Sequence, residues 1–289
     1  MLAWKSTGVL TTLFFSVLLQ GCSEREEVPK VRLWALAPPE VASIKPESPP
    51  PLRFAVALTI SPQEGYQLYQ DFTEVLGLRI KRSVHLVLRG SLSEVNDLMR
   101  NHQADLALLC ARGFLQGHAE FGLAALAVPE LRGWTSYPSY IVVSAESEIT
   151  SLTELRGKTM AFADPLCTPE PFPLLGSGRF PIRYHDRAIR AIGEGLADGA
   201  LVDGLVYTWM ALREPAKMQK TKVIGETARY INPPLAVHPR MDAMLKENLR
   251  KALLTFHQDE RDRAVLTRLG VDRFVKPAGA VATLMHEGG

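Results

Sequence analysis

The chain has 289 residues, 46% of them hydrophobic, which is ample for a large core and allows one or two domains. Lys and Arg number 33 against 31 Asp and Glu, a formal charge of +2, and no basic run is interleaved with aromatics, so a nucleic acid partner is excluded. Three cysteines, Cys22, Cys110 and Cys167, cannot build a disulfide framework, and stability is expected to come from the core.

In chain order, Lys5 precedes a short apolar stretch over residues 9–19 that ends in Leu19-Gln20-Gly21-Cys22. A positive residue followed by an apolar run too short to span a membrane comfortably predicts a secretory signal over residues 1–21. The last four residues resemble a bacterial lipobox. That implies cleavage before Cys22, lipidation of its thiol and an extracytoplasmic protein of the cell envelope held to a membrane by lipid. An uncleaved anchor and a plain secretory signal are the alternatives. Residues 22–51 carry Pro38-Pro39, Pro46 and Pro49-Pro50-Pro51 and read as a semi-rigid tether.

The globular part is predicted to begin near Leu52. Residues 53–60 read as a buried strand. Ser61-Pro62-Gln63-Glu64 supplies an N-cap, a proline for the first helical position and an acid placed for a capping box. Tyr66, Leu68, Tyr69, Phe72 and Leu76 then fall on one helical face. Residues 84–88 predict a second strand and 91–101 a second helix. Residues 137–143 enter a strand expected to carry a first crossing between lobes. The apolar run 159–163 ends at Asp164-Pro165 and opens into a loop rich in Pro and Gly. A helix pattern over 186–196, a Gly/Asp turn and a strand pattern over 199–202 ending at Asp203 follow. Residues 230–237 are expected to carry the return crossing, and 241–257 an amphipathic helix with Met244, Leu245, Leu249, Leu253 and Phe256 on one side.

The pattern repeats. Residues 94–109 end a helix, turn and enter a strand through Ala104-Asp105, and residues 188–202 do the same through Ala197-Asp198. Similar units in both halves predict two α/β lobes of one plan with a ligand cleft between them. The expected division is a discontinuous lobe I, 52–139 with 233–289, and an inserted lobe II, 140–232.

Leu155-Arg156-Gly157-Lys158, Asp164-Pro165, His185-Asp186 and Gly195-Leu196-Ala197-Asp198 running on to Val202-Asp203 resemble the second lobe of the phosphate/phosphite/phosphonate substrate-binding proteins of ABC importers. With Phe121-Gly122 through Val128-Pro129, the 137–143 crossing and the tail Leu269-Gly270-Val271-Asp272-Arg273-Phe274, the resemblance covers most of 52–277. It implies the type II periplasmic binding protein fold, two Rossmann-like lobes joined by two hinge crossings. It also implies capture of a small oxyanion by lobe closure, without catalysis, metal or cofactor, and an ABC permease as partner.

In that family the loop after Asp-Pro offers hydroxyls and backbone N–H groups to the anion at a helix N-terminus. The corresponding residues here are Cys167-Thr168-Pro169-Glu170. Thr168 keeps a hydroxyl, Pro169 removes a donor and Glu170 adds a negative charge. Arg112, after the strand ending at Cys110, presents a guanidinium fork for an oxyanion or is a solvated loop residue. Phe114 stands where the family has Tyr. Tyr137 and Tyr140 line the hinge side or belong to the core. His185 contacts ligand by the resemblance or is structural, and Asp203 accepts from a ligand amine or hydroxyl or belongs to the turn before Gly204. The eroded loop supports an alternative function, a sensor or interaction lipoprotein that keeps the fold and has lost the pocket.

Overall fold

The computed structural model describes residues 49–163 and 178–277. The signal, Cys22, most of the tether and the loop with Cys167 and Thr168 lie outside the described residues. No described helix is long and apolar enough to cross a membrane.

The first half builds β1 (Leu52–Ala57), α1 (Pro62–Ile80), β2 (Val84–Arg89), α2 (Leu92–Arg100), β3 (Leu106–Leu108), α3 (Ala111–Phe121) and β4 (Ala124–Glu130). The chain then passes through β5 (Ser136–Tyr137) into β6 (Ser139–Ser144), β7 (Thr159–Phe162), β8 (Gly178–Pro181), α4 (His185–Gly193), β9 (Gly199–Asp203), α5 (Gly204–Arg213), α6 (Pro215–Met218) and β10 (Thr221–Glu226). It returns through β11 (Tyr230–Ile231) to β12 (Leu235–Val237), α7 (Ala243–Leu254), α8 (Glu260–Leu269) and β13 (Arg273–Val275). One sheet has the order β13-β4-β12-β3-β1-β2 and the other β10-β6-β9-β7-β8, while β5 and β11 pair antiparallel as the two crossings. β1 is parallel to β2 and β3, and β7 to β8 and β9.

β1 shows why the first sheet is buried on both faces. Leu52, Phe54 and Val56 point to a core shared with α1, α7 and α8, and Ala55 and Ala57 to a second core under α2 and α3. Phe54, Phe72, Phe256 and Phe274 form an aromatic cluster with neighbouring centroids 5.5 to 6.4 Å apart. In the second sheet Ala200 and Val202 face α4 and α5, and Leu201 faces Leu155 and Met160.

The repeated Ala-Asp pairs do equivalent work. Asp105 N donates to Arg53 O at 2.9 Å and its Oδ2 accepts from Arg53 N at 2.8 Å. Asp198 N donates to Thr159 O at 2.9 Å and its Oδ2 accepts from Thr159 N at 2.8 Å. Each aspartate ties the turn after a helix to the neighbouring strand, and in the first lobe Arg53 adds an ion pair at 3.0 Å.

Several local expectations differ. The first strand stops at Ala57, because residues 58–60 turn away to meet the other lobe. Ser61 stands at the N-cap of α1 but makes no side-chain cap hydrogen bond; its backbone N–H donates to Asp186 Oδ1 at 3.1 Å. Tyr66 is half exposed and Met244 mostly exposed, so neither belongs to the apolar face of its helix. Cys110 is disulfide-bonded, so a covalent link supplements the core. The other two cysteines, Cys22 and Cys167, are outside the described residues.

Candidate ligand cleft

A cavity of about 460 Å³ runs between the lobes. Thr59 and Ile60 after β1 and Cys110 after β3 line it from one side, and His185, Asp203 and Gly204 from the other, with Tyr137 and Pro138 at the hinge. Both sheets therefore present the C-terminal ends of parallel strands to it, the usual ligand position in such sheets.

Asp203 ends β9 and caps α5: Oδ1 accepts from Leu205 N at 2.8 Å and Val206 N at 3.2 Å. Tyr137 is hydrogen-bonded to the same carboxylate. Burial first, and then the Asp203 charge, pushes the Tyr137 hydroxyl well above the ordinary tyrosine range and that of Tyr69 up to about 12. Both hydroxyls stay protonated and serve as neutral donors. His185 opens α4, and its Nδ1 accepts from Asp203 N at 3.2 Å. An Nδ1 that accepts leaves Nε2 to carry the ring proton. Tyr140 lines the cavity and meets Tyr207 edge-on at 5.1 Å.

Gly204 is required by space. A Cβ there would come within 2.1 Å of the Pro138 carbonyl oxygen, so only glycine lets the α5 N-terminus approach the hinge this closely.

The lobes also clasp each other. His185 N donates to Thr59 O at 2.9 Å, and Asp186 receives Ser61 N. Between these bonds Ile60, 7% exposed, packs among Val142, Ile189 and Val202 of the second lobe. Across another part of the boundary Arg213 Nη2 donates to Arg268 O at 3.4 Å.

Of the residues singled out from sequence, Tyr137, Tyr140, His185 and Asp203 meet at the cleft. Phe114 does not: α3 turns it inward, 1% exposed, into the core with Leu123 and Met99. Arg112 is exposed in the first turn of α3, away from the cavity lining, close enough to Tyr230 to oppose the upward push of burial on that hydroxyl. Cys167 and Thr168 lie outside the described residues. Sequence reasoning missed the clasp at residues 59–61, because its partner is 125 positions away. It also missed a second part of the cavity wall, Arg132 and Trp134 on the turn before β5 and Trp209, Leu212 and Arg213 on α5. The available signal was two of the chain's four tryptophans, each with one arginine within four positions.

Two α/β lobes, two hinge crossings and a cleft lined from both sides define a type II periplasmic binding protein. The family model for the phosphonate ABC transporter periplasmic substrate-binding protein matches residues 54–170 and 178–280, and the chain belongs to that family. Among solved structures, a binding protein component of an ABC phosphonate transporter from Pseudomonas aeruginosa is similar with a TM-score of 0.72 at 17% identity, over 78% of this chain and 81% of that one. PhnD1 of Prochlorococcus marinus, in complex with methylphosphonate, gives 0.72 at 14% identity, over 82% and 96%. XAC2383 of Xanthomonas citri, bound to ATP, gives 0.64 at 15%, over 81% and 96%.

Proposed function

We propose that this protein is a lipid-anchored, non-catalytic binding component of an importer that captures a phosphorus oxyanion between its lobes and presents it to an ABC permease. The observation that carries the reading is the cleft, where Tyr69, Tyr137, Tyr140 and His185 gather beside the hinge at the C-terminal ends of the parallel strands. Polar aromatic side chains in a protein-walled cleft can orient an oxyanion. The ligands of the two relatives, methylphosphonate and ATP, both carry phosphorus oxyanions, which supports the same class here. In this reading Tyr137, Tyr140 and His185 contact ligand, and Thr168 adds a hydroxyl and Arg112 a long-range positive field. Signal 1–21, tether 22–51, lobe I 52–139 with 233–289 and lobe II 140–232 are the working parts, and Cys22 carries the lipid outside the cytoplasm.

Titration calorimetry of the mature chain against phosphate, phosphite, sulfate and methylphosphonate tests capture. Binding of a phosphorus oxyanion that weakens at least tenfold in His185→Ala is the expected result. Heat with none of them refutes it and favours the sensor or interaction role. Fatty-acid labelling that persists in Cys22→Ala refutes the anchor.

A further inference from the structure

The cavity is larger and its wall differently composed than a small oxyanion needs. About 460 Å³ falls within the ~300–1,000 Å³ of sites that enclose drug-sized ligands. It has room for roughly fifteen waters at ~30 Å³ each, whereas methylphosphonate has five heavy atoms. Beyond the hinge the lining is apolar and aromatic: Leu68 and Phe72 from α1, Trp134, and Trp209 and Leu212 from α5. Trp134 and Leu212 are 63% and 65% exposed.

This wall is also cationic. Five arginines line the cavity, Arg132, Arg183, Arg213, Arg229 and Arg268, against one carboxylate, Asp203. Arg268 pairs with Asp71 at 2.6 Å. Arg229 lies over the Trp134 ring at 5.1 Å and donates to Ser136 Oγ at 3.2 Å; Arg213 lies over Trp209 at 5.7 Å. Arg132, Arg213 and Arg229 have no carboxylate partner among the described residues. The turn that carries Arg132 and Trp134 is itself held, since Gly133 N donates to Asp272 Oδ2 at 3.1 Å. Trp209 Nε1 is sealed from solvent with no hydrogen-bond partner among the described residues.

We infer that the cleft takes an oxyanion joined to a flat, largely apolar ring system, an aryl or heteroaryl phosphate or phosphonate. The ring packs along Trp134 and Trp209 and the anion is drawn by Arg132, Arg213 and Arg229. Arginines stacked on indoles combine a planar apolar surface with a fixed positive charge, and only a ligand that has both a ring and an anion uses both. The inference rests on the binding-protein reading and names its substrate class.

The test is calorimetry of the mature chain with four probes: 1-naphthyl phosphate, inorganic phosphate, methylphosphonate and 1-naphthol. Naphthyl phosphate is expected to bind at least tenfold more tightly than each of the others. Trp134→Ala should weaken naphthyl phosphate by several-fold and leave methylphosphonate unchanged. The triple variant Arg132→Ser, Arg213→Ser, Arg229→Ser alters exposed side chains and removes only the bonds of Arg213 to Arg268 O and of Arg229 to Ser136. It should weaken naphthyl phosphate at least tenfold, flatten its salt dependence and leave its circular dichroism unchanged. Methylphosphonate binding as tightly as naphthyl phosphate would overturn this inference and leave the importer reading standing. No binding of any probe would overturn both. Tight naphthyl phosphate binding untouched by either variant would overturn the assignment to this wall.

Discussion

Asp203→Ala removes two roles at once, and the structure gives the size of each. The carboxylate caps α5 through Leu205 N and Val206 N, and losing such a cap costs about 1 kcal/mol. It also accepts from Tyr137, 8% exposed, and a buried hydroxyl left without an acceptor costs about 1–3 kcal/mol. The bond to His185 Nδ1 is donated by the Asp203 backbone N–H and survives. The expected destabilisation is therefore about 2–4 kcal/mol, read as a lower urea midpoint at unchanged slope. Asp203→Asn keeps a capping oxygen and an acceptor and should cost about 1 kcal/mol. Tyr137→Phe removes the stranded hydroxyl, so the pair Tyr137→Phe with Asp203→Ala should cost at least ~1 kcal/mol less than the sum of the single changes. Asp203→Ala within ~0.5 kcal/mol of the parent, or strict additivity of the pair, would refute the reasoning.

Gly204→Ala sets a Cβ against the Pro138 carbonyl and should cost about 1–3 kcal/mol as overpacking, read as a melting temperature lower by several degrees; an unchanged melt would sink the close-approach argument. Cys110→Ser should lower stability by about 2–4 kcal/mol under oxidising conditions and by little in dithiothreitol, and peptide mapping without reductant should recover Cys110 in a cross-linked peptide. His238 gives a pH dependence. Burial first, then His102, Arg240 and Lys246, hold its pKa below the ordinary histidine value against the pull of Asp105, and its Nδ1 accepts from Arg240 N at 3.1 Å. The unfolded chain therefore takes up this proton first. The stability is full above the ordinary value and declines as pH falls from there toward the folded pKa. His238→Gln should flatten urea midpoints between about pH 7 and pH 5, and an identical slope in the variant would contradict the assignment.

Legibility followed the range of the interaction. The Ala-Asp echo was visible because one local solution, a carboxylate tying a helix-ending turn to a neighbouring strand, recurs at Asp105 and Asp198. β1, β2, β7, β9 and α4 were visible from periodicity, while β8 fell inside the stretch read as a Pro- and Gly-rich loop. α3 was not, because its glycines are poor helix formers; Gly117 is small because a Cβ would lie 2.4 Å from Leu123 Cδ1. α5 is apolar on nearly every side and offers no polar face to mark its period. His185 and Asp203 could each be picked out, but their mutual bond could not, and Phe114, singled out because it stands where the resembled family has Tyr, is turned inward by a helix the sequence did not reveal.

Ile60 gives the cleft a kinetic character. To part the lobes it must leave the second lobe's core, where it is 7% exposed, at a cost of about 2 kcal/mol for its apolar surface alone. That is a bias of roughly thirty to one toward the shut arrangement before the hydrogen bonds of Thr59 and Ser61 are counted. In the binding-protein reading a ligand held between shut lobes both enters and leaves through that minority population, so arrival and departure are slowed by the same fraction and the affinity is left unchanged. Departure meets the same barrier. On that reading residence is lengthened, and rapid unloading would require an outside agent that levers residue 60 out of its socket.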